Sequence, residues 1–116
     1  IGIITYNRKD ILLKTIESIF LFTKTPFEFV VADDGSIDGT QNILKEMRIP
    51  YITGENRGIA WNRNRAIWFL KQEKKCDSII IFEDDCMPNE FGWEQRWIDA
   101  LQSSAMLITC QSLQLK

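Results

Sequence analysis

The sequence predicts an α/β domain: an open, mainly parallel sheet flanked by helices. Three observations predict it. Short apolar runs alternate with helix-period segments, the alternation repeats four times, and each apolar run stops at a polar cluster. Length and composition agree, since 116 residues suit one core and 45% apolar with 26% charged residues is ordinary globular usage. No internal repeat, low-complexity stretch or linker divides the chain, so residues 1–116 are expected to form a single domain. The chain opens inside an apolar run with no initiator Met and no signal-peptide pattern, which predicts a fragment of a longer domain.

The elements follow in order. Residues 1–4 read as the first strand. Residues 10–22 read as a helix, with Leu12, Ile16, Ile19 and Phe20 on one face. Residues 27–32 make a second strand, broken by the turn chemistry of Asp33-Asp34-Gly35-Ser36. Asp38 is expected to cap the next helix, with Gln41 as the other half of a capping box and Ile43, Leu44 and Met47 along its length. Pro50 limits the third strand to residues 51–53. A loop at 54–58 leads into a long helix reaching about residue 74, with Ile59, Ala66, Ile67 and Leu70 as its stripe. Residues 78–82 form the fourth strand, stopped by Glu83-Asp84-Asp85. A helix containing Phe91, Trp97, Ile98 and Leu101 comes next, then an apolar segment at 105–110.

Composition excludes several chemistries. The formal net charge of −2 carries no basic surplus for a nucleic-acid partner. No apolar run approaches the roughly 18 residues that cross a bilayer. Histidine is absent, which removes His-based general bases, Ser-His-Asp triads and His metal sites from this chain. The cysteines Cys76, Cys86 and Cys110 show neither a disulfide framework nor zinc-ligand spacing, so a reducing, cytoplasmic setting is expected. A metal held here must sit on oxygen, as Mg²⁺, Mn²⁺ or Ca²⁺ do. Neither the dinucleotide G-x-G-x-x-G pattern nor the P-loop occurs.

The polar clusters carry the functional signal. The strands deliver, in turn, Thr5-Tyr6-Asn7, Asp33-Asp34, Asn56-Arg57-Gly58 and Glu83-Asp84-Asp85. In a parallel sheet these carboxyl ends share one edge, where ligands bind. The acidic run is either a solvated turn or a site for a divalent ion, which relieves like-charge repulsion. By strand alternation, Glu83 and Asp85 can face one ligand while Asp84 points elsewhere. Asp33-Asp34 serves the turn or accepts from a ligand N–H such as a uracil imide. Asn56-Arg57-Gly58 opens a helix, whose N-terminus favours anions. Arg63, beside Asn64 on the inward stripe, meets either a core carboxylate or a ligand phosphate. Tyr6 either stacks on a base or packs in the core.

Together these stretches resemble the nucleotide-sugar-binding half of a family 2-like glycosyltransferase, with its Rossmann-like GT-A fold. Ile3-Ile4-Thr5-Tyr6-Asn7-Arg8 resembles the opening strand. The stretch from Val30 through Asp33-Asp34-Gly35-Ser36 to Thr40 resembles V-D-D-G-S-x-D-G-T. The stretch from Glu55 to Asn64 resembles N-x-G-x-A-x-A-R-N, and Ile81 to Pro88 resembles the D-x-D segment. The resemblance implies that Thr5, Tyr6, Asn7 and Asp34 meet the nucleotide, with Asp33 supporting the turn and Asp84 within the same binding set. It places Gly58 and Arg63 beside the nucleotide and Glu83 near ribose or metal. Asp85, with Glu83, would bind Mn²⁺ or Mg²⁺. The implied reaction is metal-dependent transfer of a sugar from a nucleoside diphosphate donor, UDP by family habit, to a saccharide, lipid-linked or protein acceptor. The setting would be the cytoplasm or the membrane surface.

Two departures stand out. Glu83 replaces the usual Asp, and Asn62 fills a position usually held by a small residue. Inverting members take a general base from well beyond D-x-D, yet only 31 residues follow Asp85 and Asp99 is the last acidic one. Gln95-Arg96-Trp97 is expected to be helix surface plus a core tryptophan. A truncated binding or interaction module without turnover therefore stands as the alternative. A phospho-receiver, which places its acidic pair after strand one, does not fit Tyr6-Asn7.

Overall fold

The computed structural model describes residues 1–103, and the expected apolar segment at 105–110, Cys110 included, lies outside the described residues. Strands β1 (Gly2–Thr5), β2 (Val30–Asp33), β3 (Tyr51–Thr53) and β4 (Ile81–Glu83) alternate with helices α1 (Lys9–Phe22), α2 (Thr40–Glu46), α3 (Ile59–Trp68) and α4 (Glu94–Ser103). All four strands are parallel, in the order β3-β2-β1-β4. The chain steps outward from β1 to β3 and then returns past β1 to lay down β4. In open parallel sheets ligands bind outside the carboxyl ends of the strands at such a reversal, here β1 and β4.

Strand alternation builds a core on each face of the sheet. Ile3, Val31 and Phe82 pack with Leu12, Ile16 and Ile19 of α1 and Leu44 of α2. Ile4, Val30, Ala32 and Ile81 pack with Ala66 and Leu70 on the other side. The first layer follows from the predicted strands and from Leu12, Ile16 and Ile19 of α1, whereas Phe20, expected on the same face, is exposed.

Several expectations are corrected. The second strand begins at Val30 rather than at residue 27, because Phe27 and Phe29 turn into an aromatic cluster with Phe20, ring centroids 5.1 Å from it. The fourth strand runs Ile81–Glu83, although Ile80 O already accepts the Gly2 N–H at 2.8 Å. Asp38 does not form a capping box. Its Oδ2 accepts the Lys9 N–H that opens α1, its Oδ1 accepts from Thr40, and Gln41 reaches Asp33 at 2.5 Å. Burial raises the Asp38 pKa, but the Thr40 and Lys9 donors outweigh it and hold the carboxyl below the usual range.

The long helix reaches residue 73 as predicted, its last five residues, Phe69–Glu73, in a π-helical turn. Its inward stripe is different. Ile59 and Ile67 are exposed, and Asn62, Ala66 and Leu70 face the sheet. Phe91 precedes α4 and is exposed, while Trp97 is half-buried rather than a core residue. Trp93 takes the core role instead, edge-on to Phe82 with centroids 5.1 Å apart.

Candidate functional site

Register brings the predicted clusters together. Thr5 lies beside Asp33 across the β1–β2 ladder, and Ile4 lies beside Glu83 across the β1–β4 ladder. Residues 5–8, 33–36 and 83–85 therefore leave adjacent strands on the same edge. Side-chain bonds cross between them. Thr5 Oγ1 donates to Asp84 Oδ2 at 2.9 Å, the Asn7 N–H donates to Ser36 Oγ at 2.7 Å, and the Ile37 N–H donates to Asn7 Oδ1 at 2.7 Å. Asn7 sits at φ 51, a left-handed conformation that Asn tolerates better than most residues. Tyr6 is exposed at this rim, which settles it as a surface ring rather than a core one.

Asp33 is completely buried and organises the turn after β2. Its carboxylate accepts from the Ser36 N–H and hydroxyl, from Gln41 Nε2, and from Thr53 Oγ1 at 2.8 Å. Gly35 sits at φ +80 in that turn, and a Cβ there would lie 2.8 Å from Gly54 O. Only glycine fits, so the turn packs directly on the 54–58 loop.

Asp34 is the hub of that loop. Oδ1 accepts the Arg57 N–H at 2.9 Å and Arg65 Nη1 at 3.0 Å, while Oδ2 accepts the Gly58 N–H at 2.9 Å and Asn56 Nδ2 at 3.1 Å. A carboxylate has about four acceptor sites, and all are taken. Burial raises its pKa, but the Arg57 and Gly58 N–H groups and the Arg65 guanidinium outweigh burial and hold it below the usual range. The anion that sits at the start of α3 is thus the protein's own Asp34.

Arg65 and Asn62 complete the network. Arg65 also donates to Glu55 O at 2.6 Å and Asn62 Oδ1 at 3.0 Å, and Asn62 Nδ2 donates to Ala32 O at 2.7 Å. A Cβ on Gly54 would stand 2.9 Å from Arg65 Nη2, so a side chain there would push the guanidinium aside. The arginine that meets a carboxylate on α3 is Arg65; Arg63 is half-buried, makes no ion pair among the described residues, and its Nε is buried without a partner. Sequence reading missed Arg65 because Ile59 and Ile67 suggested a stripe through residue 63. The spacing 62, 65, 66, 69, 70 was available, but its first two members are polar.

The acidic run divides by burial rather than by strand alternation, since β4 ends at Glu83 and Asp84 and Asp85 lie in the turn that follows. Asp84 is buried, held by Thr5, with its carbonyl accepting from Thr15 Oγ1 at 2.5 Å. Burial is the main cause that raises the Asp84 pKa, Thr5 and Arg8 oppose it, and Asp85 and Glu83 add to it. Asp85 is exposed and Glu83 half-buried. Arg8, a residue not singled out from sequence, spans Asp84 at 3.0 Å and Asp85 at 3.5 Å. Among the described residues no three His, Cys, Asp or Glu side chains converge tightly enough to hold a metal ion by themselves. A hard ion on one or two carboxylates takes its other oxygens from phosphate and water, and the donor set of Glu83 and Asp85 fits that pattern.

A parallel sheet with helices on both faces and carboxylates at the carboxyl ends of its strands is a Rossmann-like arrangement of the GT-A kind. The chain belongs to glycosyl transferase family 2, whose model matches residues 1–113. It is 32% identical over 111 residues to YfnE of Bacillus subtilis, an uncharacterized glycosyltransferase, covering 90% of this chain and 27% of that protein. It is 39% identical over 67 residues to glycosyltransferase GlyA of Streptococcus pneumoniae, covering 53% and 10%. It is 26% identical over 110 residues to glycosyltransferase AglE of Haloferax volcanii, covering 87% and 34%. The chain therefore spans about a third or less of each of these relatives. No helix among the described residues is long and apolar enough to cross a membrane.

Proposed function

We propose that this chain is the nucleotide-sugar-binding half, residues 1–116, of a metal-dependent glycosyltransferase that uses a nucleoside diphosphate sugar, with UDP as the nucleotide. The observation that carries the reading is the shared carboxyl edge of β1 and β4, where Thr5, Tyr6, Glu83, Asp84 and Asp85 leave neighbouring strands together. Tyr6 offers an exposed ring for a base, and Asp33 and Asp34 hold the turn and loop that border it. Arg63 and Gly58 border the nucleotide from α3. Asp85 and Glu83 are the residues to hold Mn²⁺ or Mg²⁺. Such an ion, when bound, supplies Lewis-acid stabilisation of a departing nucleoside diphosphate.

The acceptor, whether saccharide, lipid-linked or protein, belongs to chain beyond this half. Its work is assigned to the cytoplasm, free or at the membrane surface, a setting that the cysteine spacing supports.

Calorimetric titration with UDP, with and without Mn²⁺, tests the proposal. Binding should need the metal, and Asp85→Ala should weaken it by at least about tenfold, or ~1.4 kcal/mol. Metal-independent binding, or wild-type affinity in Asp85→Ala, would overturn it.

A further inference from the structure

We propose that Arg8 is a phosphate-binding residue of this rim: counter-ion to Asp84 and Asp85 in the structure, it turns from Asp85 to the donor's diphosphate when a divalent ion takes that carboxylate. The inference rests on the donor-site reading above.

Its first support is position. Arg8 follows β1 and reaches across to the segment after β4, so it spans the point where the strand order reverses. Its base is fixed, because the preceding Asn7 is bonded through both backbone and side chain to the 36–37 turn. Its guanidinium is half exposed.

The two contacts are unequal. The 3.0 Å bond goes to the buried Asp84 and acts as an anchor, whereas the 3.5 Å contact goes to the exposed Asp85. Exposed pairs at such distances are weak and exchange readily. The run carries three carboxylates and only Asp84 and Asp85 meet the Arg8 guanidinium, so it still attracts a divalent ion. An ion on Asp85 repels the near arm of Arg8 and frees it, while Asp84 keeps the side chain at the rim.

A second support is independent of the acidic run. A helix N-terminus is the other common phosphate-binding device, but the N–H groups of Arg57 and Gly58 at the start of α3 already bind Asp34. Arg65 is buried and committed to Asp34, Glu55 O and Asn62. Arg57 pairs with Glu55 and lies 4.8 Å over the Trp61 ring. Arg63 makes no ion pair among the described residues but stands on α3, whereas Arg8 offers the planar fork that matches phosphate oxygens at the β1–β4 edge itself.

The test titrates UDP with Mn²⁺, uridine, and Mn²⁺ alone into wild type, Arg8→Gln and Arg8→Lys, with circular dichroism as the check on folding. Arg8→Gln should weaken UDP–Mn²⁺ binding about tenfold, as loss of a charge-assisted contact does. Uridine affinity should stay within twofold, and Mn²⁺ alone should bind roughly two- to fivefold tighter because its competitor is gone. Arg8→Lys keeps a point charge without the fork, so it should lose about threefold for UDP–Mn²⁺ and nothing for uridine. UDP–Mn²⁺ binding within twofold of wild type in both variants overturns the inference and leaves the donor site standing. Equal losses for uridine and UDP also overturn it, marking Arg8 as merely structural. A wild-type chain that ignores UDP and Mn²⁺ together overturns the donor-site reading and this inference with it.

Discussion

Replacing Arg65 by methionine removes the cation from the Asp34 hub while keeping a long apolar stem. The pair is well shielded, with side chains 12% and 6% exposed and Nη1 3.0 Å from Oδ1. Hydrogen bonds to charged groups contribute about 1.5–3 kcal/mol each. Breaking a buried pair by deleting one partner costs about 3–5 kcal/mol when the other charge is stranded. Asp34 is not stranded, because Arg57 N, Gly58 N and Asn56 Nδ2 remain, and water can reach Glu55. The expected loss is therefore about 2–4 kcal/mol, a large share of the roughly 5–15 kcal/mol that holds a domain of this size. Urea denaturation of wild type, Arg65→Met, Asp34→Asn and the double variant measures it. The two single losses should exceed the double loss by about 1.5–3 kcal/mol. Additivity within ~0.3 kcal/mol would refute the network as drawn.

Acid should unfold the protein through the same carboxylates. Asp34, Asp38 and Glu94 have folded pKa values below the usual range, burial raising each and donated hydrogen bonds outweighing it. Their stabilisation is complete above the unfolded values, near 4, and fades as pH falls through the lower folded ones. Urea midpoints between pH 6 and pH 2 should fall with pH, and less steeply in Asp34→Asn; identical slopes would contradict the assignment. Gly35→Ala combines φ +80 with a 2.8 Å clash on Gly54 O, so it should cost about 2–4 kcal/mol in urea midpoint measurements. A loss under ~0.5 kcal/mol would show that the turn and the loop do not pack as described.

The sheet was legible because each strand is a short apolar run and each helix start carries turn residues. Convergence of the strand ends followed from parallel topology alone, before any coordinate. Strand alternation does not explain why Asp84 is buried and Asp85 exposed, because β4 ends at Glu83 and both lie in the turn after it. Long-range polar bonding was not legible. Asp38 serves the starts of both α1 and α2 because the fold brings loops 29 residues apart into contact, and Gln41 bonds Asp33 in the turn before its own helix. A local capping rule has no means of seeing the competing donor. The stripe of α3 failed for a related reason: Asn62 and Arg65 bury polar atoms against strand carbonyls, while Ile59 and Ile67 are left outside. Periodicity counts apolar residues and so misplaces a face whose first turn is polar.

The central claim is that β1, β2 and β4 gather one metal-assisted nucleotide site at a single edge. Paramagnetic broadening of backbone amide signals by Mn²⁺, added with UDP to the isotope-labelled chain, tests it most directly. Tyr6, Asn7, Asp34 and residues 83–85 should broaden together, with the effect fading toward Glu28 and Lys74 at the opposite edge. Broadening that spares Tyr6 and Asp34, or that is strongest around Glu28, would contradict it.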